Sequence, residues 1–205
     1  MLDIDSCRKY LLDNRSYYLE ESEAIRPVLS DWRALWSRTA FSILSANTHF
    51  SDAVDCLHAI EDARDSGNPL IIEEIKRFGM PASKASYINQ LPHEPEPYLR
   101  LSTETWDQYR LRLKRQFKGL GLTKASFTAC LIYPLTADVA CLDTWCQRLI
   151  WGHPFKDIKY KQYVEGEEQI RAIGKEVGYP CCFTTQYALW EWSRKVKTNH
   201  RIFYS

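Results

Sequence analysis

The sequence predicts an all-α chain of about ten helices. Apolar residues recur every three or four positions over most of its length. No two segments alternate as a pair of strands would. Glycine and proline cut the chain at intervals that suit helices. There is no internal repeat and no low-complexity segment. With 205 residues, 45% of them hydrophobic, the chain suits one large or two small domains and can bury a core.

The elements follow in order. Residues 1–31 carry seven acidic side chains against four basic ones. Ser6 to Glu23 reads as one amphipathic helix bearing Tyr10, Leu11, Tyr17 and Tyr18, and Pro27 ends it. From Asp31, an N-cap residue, Trp32, Leu35, Trp36, Ala40, Ile43 and Leu44 make a helical stripe. Asn47 continues that stripe. It reads either as the helix C-cap or as a polar group at the lip of a cleft. Ser51 caps a run with Val54, Leu57 and Ile60. Asn68-Pro69 opens a short helix with Ile71, Ile72 and Ile75, which Gly79 ends. Pro81 opens the next. The three prolines of residues 91–97 exclude helix and sheet interior, and this stretch reads as the link between two helical halves.

Ser102 is expected to start the following helix, with Trp106, Tyr109, Leu113 and Phe117 inward. After the Gly119-Leu120-Gly121 turn, Thr123 to Tyr133 is helical and Pro134 stops it. Asp143 caps a run with Trp145, Cys146, Leu149 and Ile150. Gly152-His153-Pro154 is a turn. Lys161 to Val177 and Phe183 to Val196 are the last helices.

The bulk composition excludes several classes. No apolar stretch is long enough for a bilayer, so the chain reads as soluble with no membrane partner. The first residues lack the apolar segment of a secretory signal. Seven cysteines without paired spacing argue against a disulfide framework and for a reducing, intracellular compartment. They have neither iron–sulfur nor zinc spacing, and no cofactor or metal is expected. The formal net charge is only +1. Yet Arg110, Arg112, Lys114, Arg115, Lys118 and Lys124 fall between Gln108 and Ala137 with no acidic residue among them. A concentrated basic run with a glycine turn before a helix N-terminus suits a polyanion, phosphate above all.

At this point the residues resemble a family. F-K-G-L-G-L-T-K-A (117–125) is similar to the L-P-G-V-G-x-K-x-A turn of the HhH-GPD (helix-hairpin-helix) superfamily of DNA glycosylases. L-D-T-W (142–145) resembles that family's V-D-T-H. A-F-S-I-L-S-A-N-T (40–48) resembles its first-half helix, which ends in S-x-Q or S-x-N. The resemblance covers roughly residues 32–195, and it implies a two-lobed helical DNA-glycosylase-like fold with an interlobe cleft. The expected divisions are an N-terminal extension (1–31), a first lobe (32–91) and a hairpin lobe (98–205). Double-stranded DNA is the implied partner of a monomeric chain, the target nucleotide being flipped out of the duplex.

The resemblance assigns roles residue by residue. Asp143 matches the essential carboxylate. Lys118, Gly119, Gly121, Thr123 and Lys124 match the phosphate-holding hairpin. Asn47, Phe183, Tyr187 and Trp190 are candidates for the base pocket. Trp145 stands where the family often has histidine and either packs or borders that pocket. The catalytic-lysine slot holds Thr123, with Lys124 one residue later and so turned about 100° round a helix. Water is therefore the expected nucleophile, and lyase chemistry through Lys124 is the alternative. Two other readings stay open: a related enzyme that modifies the base, and a duplex-binding module without catalysis.

Overall fold

The protein is described by a computed structural model covering residues 4–66, 75 and 79–195. Among the described residues the chain is all-helical, as expected. Ten α-helices are present among the described residues, and no strand. They are α1 (Ile4–Asp13), α2 (Arg15–Ala24), α3 (Trp32–Leu44), α4 (Phe50–Asp65), α5 (Pro81–Ile88), α6 (Trp106–Gln116), α7 (Leu122–Ile132), α8 (Thr144–Trp151), α9 (Tyr160–Val177) and α10 (Cys182–Arg194). A 3-10 turn spans Glu96–Tyr98. The chain forms two compact units. One, the terminal unit, joins Met1–Arg26 to Ala129–Ser205. The other, the internal unit, is Pro27–Thr128. The proline-rich segment 91–97 lies within the internal unit, and the chain changes unit inside α7.

Each unit is built on one helix that is buried nearly all round. In the internal unit this is α3, buried without a break from Leu35 to Leu44 and packed on α4 and α5. A helix apolar on one face only would leave the other wet. Here the polar positions are buried too, and they turn inward for partners. The hydroxyls of Thr39 and Ser42 donate to the carbonyls of Leu35 and Arg38, 3.0 and 2.9 Å away. Asp31 caps the start as its residue type requires, its side chain accepting from Arg33 N.

In the terminal unit the central helix is α10, buried from Cys182 to Leu189 and packed on α1, α2, α8 and α9. Glu191 on α10 is buried. It accepts a 2.8 Å hydrogen bond from the Tyr18 hydroxyl, and the Tyr10 and Tyr18 hydroxyls lie 2.6 Å apart.

Several element boundaries differ from expectation, each for a local reason. The first helix is two: the chain breaks at Asn14, whose backbone leaves the helical region and whose amide donates to Tyr10 O at 2.8 Å. Helix α6 starts at Trp106 rather than Ser102. The cause is a capping box: the Thr105 hydroxyl accepts from Gln108 N, and the Gln108 side chain accepts from Thr105 N. Helix α4 starts at Phe50, with His49 at the cap position in place of Ser51. The helix expected after Asn68-Pro69 lies outside the described residues apart from Ile75, which is buried.

Candidate active site and nucleic-acid interface

In the internal unit, α6 and α7 are joined by the turn 117–121. Its two glycines differ. Gly119 sits at φ +90°, where only glycine is comfortable, and a Cβ there would come 2.6 Å from Tyr87 Cδ2. Gly121 has ordinary backbone geometry, and a Cβ on it would meet nothing within 4 Å. The fold therefore needs a glycine at 119 and does not need one at 121. Lys118 and both glycines are exposed, and Thr123 is half-buried. The first turn of α7 presents N–H groups that no carbonyl within the helix can take.

The basic run divides on inspection. Arg110 is buried, pairs with Asp107 and donates to Ser126 Oγ at 3.2 Å. Arg112 holds Glu104 at 2.6 Å and also donates to the carbonyls of Pro97 and Leu99. Arg112 fastens the segment before α6, Arg110 ties α6 to α7, and neither faces outward with the rest. The sequence span 108–137 hid this, because Glu104 and Asp107 lie just before it. Lys114, Arg115 and Lys118 remain exposed.

Lys124 is half-buried, and its ammonium donates to Ser45 O at 3.2 Å and Ser45 Oγ at 2.8 Å. A second lysine, not singled out in the sequence, works beside it. Lys84 is 2% exposed and donates to Leu44 O, Ala46 O and Thr48 Oγ1 at 2.9, 2.7 and 2.8 Å. Burial, with Lys124 nearby, pulls its ammonium below the usual lysine range. Two lysines thus answer the carbonyls at the C-terminal end of α3, where cations are favoured. The turn they hold carries Asn47, exposed and at φ +54°. Asparagine is one of the few residues that accept this conformation. The C-cap position itself belongs to Ser45.

In the terminal unit, Asp143 caps α8 as expected. Its Oδ1 accepts from Trp145 N at 3.0 Å and Cys146 N at 2.9 Å. Its Oδ2 accepts from the indole Nε1 of Trp190 at 2.8 Å. The carboxylate is half-buried and sits at the N-terminus of α8. Burial, with the Asp143 charge alongside, pushes the Cys146 thiol well above its ordinary value, so it stays protonated.

The Trp145 ring is 38% exposed, with the Arg148 guanidinium 5.0 Å over it. Phe183 and Tyr187 are buried and stack at 5.9 Å; Tyr187 also meets Tyr18 edge-on at 5.2 Å. Both rings pack against protein in the unit's core. Trp190 is the one aromatic of α10 tied to Asp143, across 47 residues of sequence. No short-range pattern signals that pairing. Among the described residues, no group of three or more His, Cys, Asp or Glu side chains could hold a metal ion. No helix among them is long and apolar enough to cross a membrane.

This helical architecture is the fold of DNA glycosylases. The chain superposes on the 8-oxoguanine glycosylase/lyase of Methanocaldococcus jannaschii, solved with a 15mer DNA containing 8-oxoguanine, with a TM-score of 0.79. Identity is 18%, over 97% of this chain and 100% of that one. A second structure of 8-oxoguanine DNA glycosylase from that organism matches with a TM-score of 0.77 and 19% identity over 96% and 95% of the two chains. The 8-oxoguanine DNA glycosylase of Thermotoga maritima matches with 0.73 and 18% over 92% and 94%. No protein-family model matches the sequence, and no curated protein is significantly similar to it in sequence.

Proposed function

We propose that the protein is a DNA N-glycosylase that takes a damaged base out of the duplex and hydrolyses its bond to the sugar. The observation that carries this reading is the Asp143 carboxylate, fixed by three N–H donors at the start of α8 in a chain with the glycosylase fold. As the C1′–N bond breaks, its electron pair leaves with the base and positive charge builds on the sugar. A carboxylate already held in place stabilises that charge without having to reorganise. Water then adds to C1′ and loses a proton. Phosphate is held by the first turn of α7 and by Lys114, Arg115 and Lys118. The open space at Gly121, which the fold leaves unused, suits a backbone approached closely by a phosphate.

Two considerations support water as nucleophile. By the sequence resemblance, Thr123 stands where the family has its lysine, and a hydroxyl cannot form an imine. The Lys124 ammonium is engaged by Ser45. The structurally similar enzymes are named for 8-oxoguanine, so a duplex carrying that base is the first substrate to test, followed by other oxidised, alkylated and mismatched bases.

The test is release of free base, read by mass spectrometry, from wild type and Asp143→Asn. Asparagine also caps helices, so this variant keeps the fold. Base release is expected to fall at least roughly 100- to 1000-fold while duplex binding stays near wild type. An Asn variant that releases base at the wild-type rate would sink the mechanism. Duplex binding with no base released from any lesion would leave a DNA-binding module instead.

A further inference from the structure

We infer that Trp190 is a positioning residue of this reaction: its indole N–H fixes the orientation of the Asp143 carboxylate and selects which oxygen faces the sugar. The inference rests on the glycosylase reading and adds a residue to it.

The two oxygens of Asp143 have separate duties. Capping occupies Oδ1, which takes both backbone N–H groups at the start of α8. A cap needs no more than one oxygen. Oδ2 is free of that duty and is the atom Trp190 holds, at 2.8 Å. With a donor on each oxygen, the carboxylate cannot rotate about its last bond without losing one. An indole N–H does seek a partner when it is covered. Here that partner is the carboxylate oxygen that the cap does not use.

The rest of α10 braces the contact. The Arg194 guanidinium lies 4.3 Å over the Trp190 ring, on the same helix one turn later. One turn earlier, Gln186 is 5% exposed and its Nε2 donates weakly to Cys146 Sγ at 3.8 Å, in the first turn of α8. Helix α10 thus addresses the start of α8 through two side chains on one face, at 186 and 190.

The experiment compares Trp190→Phe with wild type and Asp143→Asn. Phenylalanine keeps a ring for Arg194 to cover and removes the N–H. Two quantities are read on each protein: the single-turnover rate of base release, and the Kd for a duplex carrying an uncleavable tetrahydrofuran abasic analogue. The rate for Trp190→Phe is expected to fall about 10- to 100-fold, the scale of one lost hydrogen bond to a charged group, with Kd within about twofold. Trp190→His retains a ring N–H and is expected to fall between wild type and Phe, with folding of each variant checked by circular dichroism.

A Phe variant at the wild-type rate, beside an inactive Asp143→Asn, overturns the role of Trp190 and leaves the glycosylase reading standing. So does a proportional loss of rate and binding in the Phe and His variants alike, which marks a packing role. A wild-type protein that releases no base from any duplex overturns both.

Discussion

Arg112 and Lys118 lie half a dozen positions apart in one basic run and do different work. Arg112 is committed to Glu104 and to two backbone carbonyls, whereas Lys118 is exposed. Removing Arg112 orphans these acceptors, so Arg112→Ala should cost about 1–3 kcal/mol of stability and leave the salt dependence of DNA binding unchanged. Lys118→Ala should do the reverse, leaving the unfolding midpoint in place and lowering the log–log salt slope by about one. Denaturant titration and binding at several salt concentrations separate the two; a matched pair of results would erase the distinction. The Arg112–Glu104 pair also sets a pH dependence. Hydrogen bonding to Arg112 holds the Glu104 carboxyl below its ordinary value of 4.5. A depressed folded-state value means the pair stabilises the protein fully above pH 4.5, and that the stabilisation fades as pH falls through the lower folded value. Glu104→Gln should therefore flatten the acid limb of a stability-versus-pH curve below about 4.5 and leave its shape above pH 6 intact. The nucleophile is decided at this scale as well. Borohydride should trap no enzyme–DNA adduct in wild type; strong trapping that Lys124→Ala abolishes would make the enzyme a lyase.

At the scale of the element, the turn 117–121 gives a test with opposite outcomes at neighbouring glycines. Gly119→Ala forces an L residue into positive φ and into Tyr87, and should destabilise the fold by roughly 1–3 kcal/mol. Gly121→Ala should be silent in the unfolding midpoint and weaken duplex binding; if binding is untouched, the phosphate does not approach there. The sequence made the helices legible where one force dominated. Asp31 and Asp143 were readable as caps because a short carboxylate before an apolar run has few other uses, and the α3 stripe was readable because period and burial agree. Other features were lost where two local signals competed. Ser102 was a plausible cap, but Thr105 with Gln108 satisfies two backbone donors at once and wins. The break at Asn14 left no trace in the apolar pattern, which runs through it. Lys84 carries no signal in the sequence, since nothing nearby announces the carbonyls of residues 44 and 46. The tie between Trp190 and Asp143 exists only once α8 and α10 pack.

Over the whole molecule, a net charge of +1 implies modest long-range attraction to DNA, with affinity resting on a few local contacts. With Lys114, Arg115 and Lys118 as the phosphate partners, duplex affinity should fall with salt at a log–log slope of about −3. A slope near zero would remove this surface from the interface, and a much steeper one would call for partners elsewhere. Both units follow one plan, a buried central helix with shorter helices around it, and both place their candidate chemistry at helix ends: α3 and α7 in one, α8 in the other. That economy makes Asp143 answer to two kinds of selection. A library holding all twenty residues at position 143, sorted once for folded protein and once for base release, should return two different alphabets. Sorting for folding alone should keep Asp, Asn, Ser and Thr, the residues that cap α8. Sorting for base release should keep Asp alone. A lineage that no longer needed the reaction would be free to drift within the first alphabet while keeping the same helix.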